Sequence, residues 1–117
     1  MIYQVADGLR AVREAQHLQP DLVLLDICLP RLNGIEAARQ IRKCSPLSII
    51  LFVSQDSSAH VVQKAFNAGG SGYVVKVDAG GELLAALNAV VRGEHFVGRR
   101  FAGHDFAGCP TYSRERL

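Results

Sequence analysis

Three polar residues stand at the ends of apolar runs, and their types suit the handling of a small anion. Leu22-Val23-Leu24-Leu25 ends in Asp26, Ser48 to Val53 delivers Ser54, and Gly72-Tyr73-Val74-Val75 delivers Lys76. Apolar runs of this length, bounded by turn residues, read as buried parallel strands. Ligands of open α/β sheets bind outside the carboxyl ends of the strands. If the three strands are parallel neighbours, a carboxylate, a hydroxyl and an ammonium meet on one rim, in a pocket suited to a tetrahedral anion. A carboxylate is a competent nucleophile at neutral pH because it is already ionised. An ammonium balances incoming charge and a hydroxyl donates to an anionic oxygen. Alone, each residue has a plainer reading: Asp26 a turn or cap residue, Ser54 a loop cap, Lys76 a solvated strand-end lysine.

The elements that would position these groups alternate along the chain. Ile2 to Ala6 is a short strand closed by Asp7-Gly8. Leu9, Val12, Ala15 and Leu18 then recur at helical spacing up to Pro20. Ile35, Ala38 and Ile41 mark a second helix, stopped before Pro46. Ser57 or Ser58 caps a third helix carrying Val61, Val62, Ala65 and Phe66, and Gly69-Gly70 ends it. A fourth helix is expected from about Gly81 to Arg92, with Leu83, Leu84, Leu87, Val90 and Val91 facing inward. Strands alternating with helices imply right-handed βαβ units and a parallel sheet. From Arg99 the apolar period stops, so residues 99–117 read as a tail or linker stub in which Phe101 and Phe106 stay undocked.

Composition narrows the classes. A chain of 117 residues with 49% apolar and 21% charged residues fits one small globular domain. A net charge of +2 is too small to argue for a nucleic-acid surface. Cys28, Cys44 and Cys109 form neither a paired framework nor a metal spacing, which suits reduced thiols in a cytoplasmic protein. Cys28 is read as a buried thiol without a role. His17, His60, His95 and His104 read as solvated surface. No segment reaches transmembrane length.

The ordered set Asp26, Ser54, Tyr73 and Lys76, with Pro30 and the Asn33-Gly34 turn, resembles the receiver domain of two-component response regulators. Residues 79–97 further resemble the last helix of LuxR-type (NarL/FixJ-like) regulators. The resemblance implies a flavodoxin-like α/β fold over residues 1–98, a parallel sheet flanked by helices. It implies that Asp26 is the phosphoacceptor, Ser54 the switch hydroxyl, Tyr73 the switch aromatic and Lys76 the phosphoryl partner. Movement of Ser54 would let Tyr73 swing inward. The implied partner is a sensor histidine kinase or a phosphotransfer protein. Val77 stands where many receivers have proline, a departure common in LuxR-type members.

One departure is larger. A full receiver begins with an apolar strand ending in two acidic residues and a first helix, and the chain is read as lacking both. The acidic pair would hold Mg2+, so Asp26 and the backbone carbonyl of Cys28 would form an incomplete site, with Asp7 a partial substitute, and phosphorylation would be impaired. The lost strand would either leave the edge of Leu22–Leu25 open to self-association or force direct pairing with Ile2–Ala6. A late start codon, a decaying fragment and a short form paired with another chain all remain open. The competing reading is a phosphorylation-independent pseudo-receiver acting through protein contacts. A DNA-binding role lacks a helix-turn-helix, and a flavin site lacks a hydroxyl- and glycine-rich loop.

Overall fold

In a computed structural model of the chain, which describes residues 2–4, 7–28 and 32–103, the apolar runs do become adjacent parallel strands. The order along the sequence is β1 (Ile2–Gln4), α1 (Gly8–Leu18), β2 (Leu22–Leu25), α2 (Gly34–Cys44), β3 (Ile49–Ser54), α3 (Ala59–Asn67), β4 (Gly72–Val75), α4 (Ala79–Val91) and β5 (Phe96–Val97). Short 3-10 turns follow β4 at Lys76–Asp78 and β5 at Arg99–Phe101. The sheet runs β1-β2-β3-β4-β5 with every pair parallel.

β1 pairs directly with β2, Ile2 against Leu22 and Gln4 against Leu24. Of the two outcomes expected for these strands, direct pairing is the one found. The edge of β2 is therefore covered, and self-association through an open β2 edge loses its premise.

Alternation along the strands divides the core in two. Val23, Leu25, Ile50, Phe52, Tyr73 and Val75 face α1, α2 and α3, where Ala11, Ala15, Ala38, Ile41, Val62 and Ala65 are buried against them. Leu22, Leu51 and Val74 face the opposite way, onto Ala86 and Val90 of α4. Complete burial of large side chains such as Phe52 and Ile41 stabilises by roughly 2–3 kcal/mol each.

The helix ends follow local chemistry. Asp7 caps α1 by accepting from the amides of Leu9 and Arg10. Asn33 caps α2 through the Glu36 amide, and Ser58, rather than Ser57, caps α3 through Val61. α3 closes in a Schellman arrangement: Gly69, at φ 107°, donates to Phe66 O and Gly70 to Ala65 O.

Several expectations are corrected. Leu84 and Val91 do not face inward; they are 73% and 60% exposed, because one side alone of α4 meets the sheet. The strand Phe96–Val97 was not anticipated, two residues being too few to show a period. The segment after Gly98 is not an undocked tail at its start: Phe101 is 3% exposed within the core. The packed unit thus runs past residue 98, at least to Phe101. His95 is half-buried against the Phe66 ring at 5.9 Å, and burial lowers its pKa, so it is not solvated surface. Cys28 is exposed, not buried. Pro30, His104, Phe106 and Cys109 lie outside the described residues.

Candidate functional site

Parallel register sets where the polar residues emerge. Leu25 lies beside Phe52 and Ser54 beside Val75, so Asp26, Ser54 and Lys76 leave the sheet at the same end. Lys76 opens the 3-10 turn after β4, and its Nζ lies 2.6 Å from Asp26 Oδ2. The Cys28 amide donates to Asp26 Oδ1 at 3.1 Å. Ser54 is fully buried at the end of β3, beside Asp26 and Tyr73. The structure therefore brings together all four side chains singled out in the sequence.

α2 is driven close to the carboxylate. A Cβ on Gly34 would lie 2.0 Å from the carbonyl oxygen of Asp26, so glycine is what permits this approach. The Gly34 amide donates to Ile27 O at 2.8 Å, which ties the start of the helix to the loop after β2.

Opposing effects set the charge on Asp26. Burial raises its pKa, but hydrogen bonds from Lys76, the Cys28 amide and Ser54, with the Lys76 charge, outweigh it and hold the carboxyl below 3.8. Asp26 is ionised at neutral pH. Tyr73 moves the other way. Burial first, then the charges of Asp56, Asp26 and Cys28, push its phenol up to about 12 against the opposing Ser54 hydrogen bond.

Tyr73 is fully buried and already inward. Its ring stacks on Phe52 at 6.1 Å and meets the edge of Phe101 at 6.2 Å, and its hydroxyl donates to Asp56 O at 2.8 Å. Inward packing thus needs no prior movement of Ser54. Asp56 escaped the sequence reading. Its amide donates to Ser54 Oγ at 3.3 Å, and its Oδ1 accepts from the Ser58 amide at 2.8 Å. The run Asp56-Ser57-Ser58 before a helix was the available signal.

Two oxygens considered for magnesium already have partners. Asp26 Oδ2 is engaged by Lys76, and Asp7 is spent on capping α1. Among the described residues, no three histidine, cysteine, aspartate or glutamate side chains are grouped to hold a metal, whereas magnesium demands near-octahedral oxygen coordination.

The response regulator receiver domain family matches residues 1–88 of the chain. This chain belongs to that family. The receiver is 33% identical to the transcriptional regulatory protein YxjL of Bacillus subtilis over 91 residues, 78% of this chain and 42% of that protein. It is 35% identical to the chemotaxis protein CheY of Thermotoga maritima over 92 residues, 75% of this chain and 77% of that one. Among solved structures, a LuxR-family two-component response regulator from Aurantimonas sp. SI85-9A1 superposes with a TM-score of 0.79 at 33% identity, covering 96% of this receiver and 75% of that chain. The receiver spans about half the length of the longer curated relatives it matches. Its parallel sheet flanked by helices is the flavodoxin-like fold of these neighbours. Among the described residues, no helix is long and apolar enough to cross a membrane.

Proposed function

We infer that Asp26 is the phosphoacceptor of a cytoplasmic phosphorelay. An Asp26 oxygen attacks phosphorus of a phosphohistidine on a sensor kinase or phosphotransfer protein. The phosphorus–nitrogen bond breaks, the imidazole leaves, and an acyl phosphate forms on Asp26. The carboxylate has further lone pairs beside those taken by Lys76 and Cys28. Lys76 then balances the added charge and Ser54 donates to a phosphoryl oxygen. The protein is a phosphate acceptor and not a turnover enzyme; catalysis of its own transfer is its most demanding chemistry.

The 2.6 Å approach of Lys76 to Asp26, with Ser54 beside the same carboxylate, is the observation that carries this reading. The donor set argues that the 117-residue chain holds magnesium weakly, so labelling is slow. Acetyl phosphate, with and without Mg2+, tests both points by phosphate-affinity electrophoresis. A shifted band that disappears in Asp26→Asn supports the reading. A band that persists in that variant, or none with any donor, refutes it.

A second reading is favoured by Lys76 itself, which already neutralises Asp26. In this reading the receiver works through protein contacts without phosphorylation, and Asp26–Lys76 is a fixed structural pair. Partner binding unchanged by Asp26→Asn would select it.

A further inference from the structure

Two separate chains of contacts lead from the Asp26 rim to one short segment outside the family match, Gly98–Phe101. The first runs through the lysine. Lys76 and Asp78 share one 3-10 turn, and Asp78 takes both Nε and Nη2 of Arg100, at 2.6 and 3.1 Å. The second runs through the hydroxyl. Ser54 Oγ accepts from the Asp56 amide, Asp56 O accepts from Tyr73, and the Tyr73 ring meets Phe101 at 89°.

The segment is fastened at its start as well. The Arg99 amide donates to Glu82 Oε2 at 2.8 Å, and a Cβ on Gly98 would sit 2.6 Å from Glu82 Oε1. The second carboxylate oxygen of Glu82 is buried without a hydrogen-bond partner, so this fastening sacrifices solvation to hold the strap in place. β5 delivers the strap to this spot by pairing Val97 with Tyr73.

We propose that Arg100 and Phe101 are positioning residues for the anion site: the strap Gly98–Phe101 holds the Lys76 turn and the Tyr73–Asp56–Ser54 chain in register with Asp26. The coupling is reciprocal, because energetic linkage between two sites acts equally in both directions. A change at Asp26 therefore loosens the strap. The inference rests on the phosphoacceptor reading for what the site receives, but its geometry and its test need no phosphoryl donor.

The test uses the full 117-residue chain, amide hydrogen exchange and amide NMR shifts. Asp26→Asn is expected to speed exchange of the Phe101 and Ala102 amides, which close the strap's own turn, about fivefold, the low end of site-to-site coupling. In the other direction, Phe101→Ala shifts the Asp56 amide and Asp78→Ala shifts the Cys28 amide, the two that report on Ser54 and Asp26. Asp78 makes no side-chain cap to α4, so its loss leaves the helix start intact. Arg100→Lys keeps the ion pair and restores the wild-type Cys28 shift that Arg100→Ala loses. Unchanged strap exchange in Asp26→Asn, or shifts confined to the strap in the other variants, overturns the proposal. Failure of Asp26 to accept phosphate would leave these readouts intact and would count against the phosphoacceptor reading alone.

Discussion

Adding one methyl group at Gly34 tests the geometry of the site more sharply than any change of charge. The new Cβ would stand 2.0 Å from Asp26 O, 2.8 Å from Asp26 C and 2.9 Å from Ile27 Cα. All three neighbours are backbone, so no side chain can rotate away. Unstrained non-bonded contacts lie near 3.5 Å, which requires α2 and the end of β2 to part by on the order of 1 Å. Overpacking of this kind costs about 1–3 kcal/mol. The gain in helix propensity from glycine to alanine, at most about 1 kcal/mol, offsets part of it. Gly34→Ala is therefore expected to lose about 2 kcal/mol, while Gly81→Ala, with nothing within 4 Å, gains up to about 1 kcal/mol. Urea unfolding reads both: with a slope of roughly 2 kcal/mol/M, the midpoint falls by about 1 M in the first variant and rises in the second. A Gly34→Ala midpoint at or above wild type would mean that α2 does not approach Asp26 as described.

Lys76→Met removes the chief partner opposing burial at Asp26, so the carboxyl pKa rises, as carbon-detected NMR titration would show. In the wild type this depressed pKa contributes stability above 3.8 that is lost as pH falls through the folded-state value; in the variant, that acid loss is smaller. Tyr73, raised to about 12 mainly by burial, stabilises the fold below its ordinary value of 10.0. That contribution disappears as pH climbs from there toward the folded-state value, and Tyr73→Phe flattens the alkaline fall in urea midpoint. On the helices, Ile41→Ala should cost about 3 kcal/mol because Ile41 is fully enclosed. Leu84→Lys should stay within about 0.5 kcal/mol, its side chain being largely in water; a large loss there would show that the outer side of α4 is covered.

The three strand-end residues were legible because strands buried on both faces leave an unbroken apolar signal that stops where the chain reaches the rim. Helix limits were legible where Ser58 and Gly69 supply capping groups of known preference; the Asn33 cap of α2 was not read from the sequence. α4 was harder: Leu83, Leu84, Leu87, Val90 and Val91 share one arc of about 120°, but the sheet meets the neighbouring side, where the small Ala86 and Ala89 are buried with Val90. Phe101 was missed for a related reason. A single aromatic in a charged stretch carries no period, and its burial comes from meeting Tyr73 across the fold. Asp7 shows the limit of residue type: its carboxylate suits a metal, but the nearer amides of Leu9 and Arg10 claim it.

The strands lie side by side in the order in which they are synthesised, Ile2 beside Leu22, Leu22 beside Ile49, Leu51 beside Gly72 and Gly72 beside Phe96. Among the described strands, each is bonded to its neighbour in sequence. From β1 to β5, each new βα unit can therefore dock on the edge left by the one before it. Each pairing still closes across a whole helix, so the loop entropy is paid before the strand contacts reward it.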